Sequence, residues 1–167
     1  MKTAIAMQPP WKEYLLRQAR LNSMCLDNLD ALRACQTKAE AVNLYKKTLD
    51  WALERNYPPV NFIRNEFGNC EDLGIFIDKD FHGELLDEHQ CYVFHNCRGT
   101  IMVEMNTSEK IIPMLYFANG CNITVKRSCE PHTLPIKVPL YIFGDNTVIA
   151  NDCDNIVFRT YKKGGAK

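Results

Sequence analysis

The sequence has no apolar run approaching the length of a membrane-spanning helix, which requires about 20 consecutive apolar residues. It has no net charge either: 20 Lys and Arg face 20 Asp and Glu. Residues 1–70 carry 10 basic and 7 acidic groups and residues 71–167 carry 10 and 13, or +3 against −3. That imbalance is too small for the basic footprint of a nucleic-acid binder. The first ten residues contain no long apolar core and are broken by Pro9 and Pro10, which argues against a secretory signal. Catalytic signatures are missing as well. Gly-x-Ser-x-Gly, a Gly-rich phosphate loop, His-Glu-x-x-His and Cys-x-x-Cys do not occur; each would set a nucleophile, phosphate-binding amides or metal ligands at a fixed spacing. Together these absences imply a cytoplasmic chain whose eight cysteines are reduced, since disulfide frameworks belong to oxidising compartments.

What is present can bury a core. The chain has 167 residues, 46% of them apolar, enough for one domain or one domain with an added lobe. The expected class is α+β: three to four short helices over residues 10–72, then a β-rich lobe over 73–161. A flexible start at 1–9 and a basic tail at 162–167 complete the division.

Pro9 and Pro10 suit a helix start, where a missing N–H costs nothing. Leu15, Leu16 and Ala19 share one face of that helix, and Cys25, Leu29 and Leu32 recur at helical spacing in the next. Thr37 with Glu40 reads as a capping box opening a helix that runs to about Asn56. Its buried stripe is Val42, Tyr45, Leu49 and Ala52, widened by Trp51 and Leu53. Pro58 and Pro59 stop it and start another segment with Val60, Ile63 and Phe67 on one face. Gly68 is a left-handed stop.

The second half is organised by repetition. Residues 91–105, 114–126 and 139–150 each read apolar run, polar break, apolar run. Phe94, Phe117 and Phe143 align, with Asn96, Asn119 and Asp145 two residues after each. Asn, Asp and Gly turn the chain at little strain, and the flanking β-branched and aromatic residues suit a pleated surface. Asn119 followed by Gly120 is the strongest hairpin signal in the chain. The expected arrangement is therefore a hairpin meander forming a sandwich. The alternative is a solenoid-like coil of short strands, disfavoured because the copies differ in length. Phe94, Phe117, Phe143, Trp51 and Leu49 are the expected core.

Two constellations carry possible chemistry. In an extended strand His89, Cys91, Val93, His95 and Cys97 share a face. His95 and Cys97, joined by Cys129 and His132 from the following loop, form a candidate zinc set of two thiolates and two imidazoles. Against this, cysteine commonly packs as a small buried hydrophobe. Asp78, Asp80, His82 and Glu84 also alternate and could hold a divalent cation or do acid–base work; a solvated loop is the plainer reading. Tyr92, Phe94, Tyr116, Phe117, Tyr141 and Phe143 have no interleaved Lys or Arg, so they read as β core rather than as a base-stacking platform.

The expected function is a non-enzymatic interaction or assembly module that uses a repeat-like β surface, with a protein partner or self-association and no cofactor. A small, cysteine-rich chain of this kind could also be a virus- or mobile-element-encoded assembly factor. The alternative is a zinc- or divalent-metal-dependent enzyme, or a small-molecule-binding module, using the His and Cys face or a cleft between lobes.

Overall fold

Helix caps divide the first part of the chain. The computed structural model describes residues 9–68, 70–103, 113–127 and 138–150, together with the backbone of 156–161. The chain divides into two units, Met1–Phe67 and Gly68–Lys167. Among the described residues no helix is long and apolar enough to cross a membrane.

The first unit is helical. Helix α1 (Pro10–Leu21) starts on Pro9 and buries Leu15, Leu16 and Ala19. Helix α2 (Leu26–Ala34) follows a break at Ser23, which takes a positive φ of 57°. The Lys12 side chain is buried, and its ammonium donates to the carbonyls of Arg33 and Cys35 at 2.6 and 2.7 Å. It thus satisfies carbonyls at the end of α2 that the helix leaves unpaired. Thr37 caps α3 (Lys38–Lys47) by accepting from the Glu40 N–H. The Glu40 carboxylate accepts from the Gln36 N–H at 2.6 Å, one residue before the cap.

The expected long helix is interrupted. The Thr48 hydroxyl donates to the carbonyls of Leu44 and Tyr45, a back-bonding habit that competes with helix continuation. A separate α4 (Leu49–Glu54) follows. Leu49 is buried, whereas Trp51 is only half-buried, edge-on to Tyr57 at 5.0 Å with Arg55 over its ring. The last segment is α5 (Val60–Phe62), continuing as a π-helical turn (Ile63–Phe67) and ending at Gly68 with φ 68°.

Buried Tyr57 donates its hydroxyl to the Leu15 carbonyl at 3.2 Å. Burial first, and then the neighbouring Cys35, raise this phenol well above its ordinary 10.0. The folded state therefore holds a proton that the unfolded chain releases. The resulting stability is fully present below about pH 10 and is lost as pH rises toward the folded value. Urea midpoints should drop between about pH 9 and about pH 11, and Tyr57→Phe should flatten that slope. An unchanged slope in Tyr57→Phe would show that Tyr57 does not carry the effect.

The second unit is a coil of parallel strands. A 3-10 turn (Glu71–Leu73) leads into β1 (Ile75–Ile77), followed by β2 (Asp80–Leu86), β3 (Cys91–His95), β4 (Arg98–Val103), β5 (Met114–Ala118), β6 (Asn122–Arg127), β7 (Val138–Phe143), β8 (Thr147–Ala150) and β9 (Ile156–Tyr161). Strand order is β1-β3-β5-β7-β9 in one sheet and β2-β4-β6-β8 in the other. Every ladder between these strands is parallel. Each strand therefore pairs with the next but one, and the chain winds from one sheet to the other and back.

This corrects the expected hairpin meander, because a hairpin joins strands that pair antiparallel. Asn119 and Gly120 do turn the chain, with φ of 60° and 83°, but the turn delivers β6 to the opposite sheet. The uneven spacing from one copy to the next has a simple origin. The passages from the five-stranded to the four-stranded sheet are uniformly short, at 78–79, 96–97, 119–121 and 144–146. The return passages differ, at 87–90, 104–113, 128–137 and 151–155, and absorb the variation.

Register also corrects the aromatic alignment. Phe76, Phe94, Phe117 and Ile142 are successive partners, and Phe143 is level with Ala118. Phe94 and Phe117 stack at 4.9 Å and 12° inside the coil, with Phe76 at 5.5 Å from Phe94. Their interior neighbours from the other sheet include Phe81, Ile101, Ile123 and Val125. Phe143 lies on the opposite face with Tyr116, at 6.2 Å. The physical reason is the corner. Asp78, Asn96, Asn119 and Gly144 each follow the in-register residues and take φ of 56°, 52°, 60° and 79°. Gly144 occupies this column rather than Asp145, and a one-residue slip moves a side chain to the other face.

Candidate functional site

The corner column decides where the candidate ligands point. Asn96 turns the chain between His95 and Cys97, so the supposed common face is broken. Cys97 enters the interior cluster with Cys121. His95, alternating with interior Phe94, lies on the other side of its strand. The His95 ring is almost fully buried, and Nδ1 accepts from the Asn119 side-chain amide at 2.8 Å. The Cys97 thiol donates to the His95 carbonyl at 3.4 Å, and the Cys121 thiol donates to the carbonyls of Phe94 and Ala118, each at 3.3 Å. The hydrogen bond with Cys121, and then burial, raise the Cys97 thiol above its ordinary value. Both sulfurs are enclosed in the interior cluster, where the Cys121 sulfur also accepts from the Cys97 N–H at 3.5 Å. Cys129 and His132 lie outside the described residues. Among the described residues no group of three or more His, Cys, Asp and Glu side chains is placed to hold a metal ion.

The acidic run is likewise divided. Asp78 sits at the corner, its carboxylate accepting from the Asn96 amide at 2.7 Å. Asp80 and His82 are exposed on β2. A register shift between His82 and Glu84, with Gly83 at φ 101°, then changes the alternation. Burial opposes the charge on Glu84. The backbone N–H groups of Glu84 and His82, followed by the charges of His82 and Lys79, outweigh it and hold the carboxyl below its ordinary value.

Two features emerge that the residue spacing did not single out. The first is the outward face of the four-stranded sheet. Asp80, Arg98, Asn122 and Thr147 are successive register partners and all are exposed. Beside them run His82, Thr100, Thr124 and Ile149, then Leu85, Met102 and Lys126. Leu85 and Ile149 are 43% and 51% exposed. Asn146 fixes the adjoining corner: its side-chain oxygen accepts from the N–H groups of Gly120 and Cys121, and its amide donates to the Phe143 carbonyl at 2.7 Å.

The second is a cleft of about 320 Å³ at the first turn of the coil. Phe76, Phe81 and Tyr92 form apolar walls, and Glu71, Asp72, Glu84 and Glu88 supply carboxylates. The Lys79 ammonium lies 4.9 Å from the Phe76 ring centre and 5.3 Å from that of Phe81, and it pairs with Glu71 at 2.6 Å. Tyr92 accepts from the N–H groups of Glu88 and His89, both at 2.8 Å, which pins the 87–90 passage beside the cleft. In the helical unit a depression among Leu15, Leu32, Tyr45 and Tyr57 offers only about 10 Å³, too little for a ligand larger than water.

Comparison with protein-family models, curated proteins and solved structures finds no match. Any functional reading therefore rests on these surfaces.

Proposed function

We propose that the chain is a non-enzymatic interaction module: a short β-solenoid whose outward four-stranded face engages a protein partner or a second copy. The supporting observation is the in-register exposure of Asp80, Arg98, Asn122 and Thr147 beside Thr100, Thr124 and Ile149. Stacked strands hold these side chains at a regular spacing of about 4.8 Å. A surface already ordered in this way loses little conformational freedom when it docks. Met102, Leu85 and Ile149 supply apolar contact among the polar rows, as interface centres require.

Photo-crosslinking tests the reading. Benzoylphenylalanine at positions 100 and 124 should give a discrete adduct, either a dimer or one partner protein. The same group at exposed position 47 of the helical unit should not. Ile149→Arg should weaken the adduct by about tenfold or more, as loss of an apolar contact point does. Adducts from position 47 but none from 100 or 124 would overturn the assignment.

A further inference from the structure

The coil begins at β1 and β2, which stand at the ends of their sheets. The interior column of rings therefore starts here, at Phe76. Phe94 lies stacked against Phe76 on the next turn, and Phe81 meets it edge-on at 5.1 Å and 83°. What stands over both Phe76 and Phe81 is an ammonium, that of Lys79. Ring faces attract cations through their quadrupole, most strongly where water is partly excluded. Phe76 and Phe81 are 7% and 2% exposed, so the core holds both rings in place.

Charge around the cleft points the same way. Four carboxylates line it, against the ammonium of Lys79 and the imidazole of His89. Glu71 already pairs with Lys79, which leaves Asp72, Glu84 and Glu88 facing the same space. An anion is repelled here, and the three exposed carboxylates favour a cation. The volume falls within the range of small-ligand sites, about 300–1,000 Å³.

We propose that this cleft is a binding site for a small organic ammonium ion, with Lys79 as a tethered occupant that the ligand displaces. This proposal is independent of the outward sheet face. The ligand's alkylated nitrogen takes the place of the Lys79 nitrogen over Phe76 and Phe81, and the carboxylates balance its charge. The Lys79 side chain is 30% exposed, so it can swing into water without unfolding the coil.

Tetramethylammonium is the probe, titrated by NMR into wild-type protein and Lys79→Ala at constant ionic strength, with folding confirmed by circular dichroism. Lys79→Ala should bind about tenfold tighter than wild type, because no tethered cation competes. The bound methyl protons should move upfield and show Overhauser effects to the Phe76 and Phe81 rings. Asp72→Asn combined with Glu88→Gln, both at the rim, should weaken binding several-fold. No binding to folded Lys79→Ala, equal affinity in the two proteins, or binding without ring contacts that sodium ions match would each overturn the proposal. Such a failure would leave the crosslinking pattern at positions 100 and 124 unaffected.

Discussion

Gly99→Ala should destabilise the β unit by about 3 kcal/mol or more, combining backbone strain with overpacking. Gly99 lies on β4 with φ 100°, and a Cβ there would stand 2.0 Å from the Phe81 carbonyl oxygen on the neighbouring strand. Neither partner can relax easily, because Phe81 and Gly99 are paired in the β2–β4 ladder. Gly120→Ala is the control. It has a similar positive φ of 83° but open space around the added carbon, so its cost should be only the conformational one, about 1–2 kcal/mol. Urea unfolding of the two variants separates them. Equal losses would mean that β2 and β4 do not approach as described.

Phe117→Ala should be nearly as damaging, at about 3–5 kcal/mol for a large ring removed from a closed core. Phe117 is fully buried and stacks on Phe94. The pairing also predicts a pattern of coupling. Phe94→Ala and Phe117→Ala together should deviate from additivity by about 0.5–1.5 kcal/mol, the size of an aromatic pair. Phe94→Ala with Phe143→Ala should add within about 0.5 kcal/mol, because Phe143 is two turns away on the other face of the sheet. Coupling between Phe94 and Phe143 instead would restore the alignment read from spacing alone.

Much of the local structure was legible. Pro9 before α1, Thr37 with Glu40 before α3 and Gly68 at the end of the π turn all act through local geometry, which a sequence displays directly. The corner residues Asn96 and Asn119 were visible for the same reason. Strand pairing was not, because a polar break turns the chain equally well into a hairpin or into the opposite sheet. The deciding signal lay upstream. Phe76 is followed two residues later by Asp78, as Phe94 is by Asn96 and Phe117 by Asn119. Residues 74–77 read as a short buried strand, but the run from Asp78 reads as a solvated loop, so this earlier copy is not joined to the other three. Had it been counted, Ile142 with Gly144 would have completed the column and released Phe143 from it.

The candidate sites were less legible still. Alternation placed His95 and Cys97 on one face, but one left-handed residue between them sends Cys97 inward. Lys79 looked like a lone charge in a solvated loop. It occupies the corner between β1 and β2, three residues after Phe76 and two before Phe81, and the corner folds its ammonium over both rings, which spacing alone does not show.

Both the partner surface and the ammonium cleft depend on turns of the chain stacking in parallel register. Nuclear Overhauser effects across the four-stranded sheet test this most directly. The expected result is methyl–methyl contact between Thr100 and Thr124 and between Thr124 and Ile149, the pairs that the register brings side by side. Antiparallel contacts between β5 and β6 across Asn119 and Gly120, with those methyl pairs silent, would contradict it.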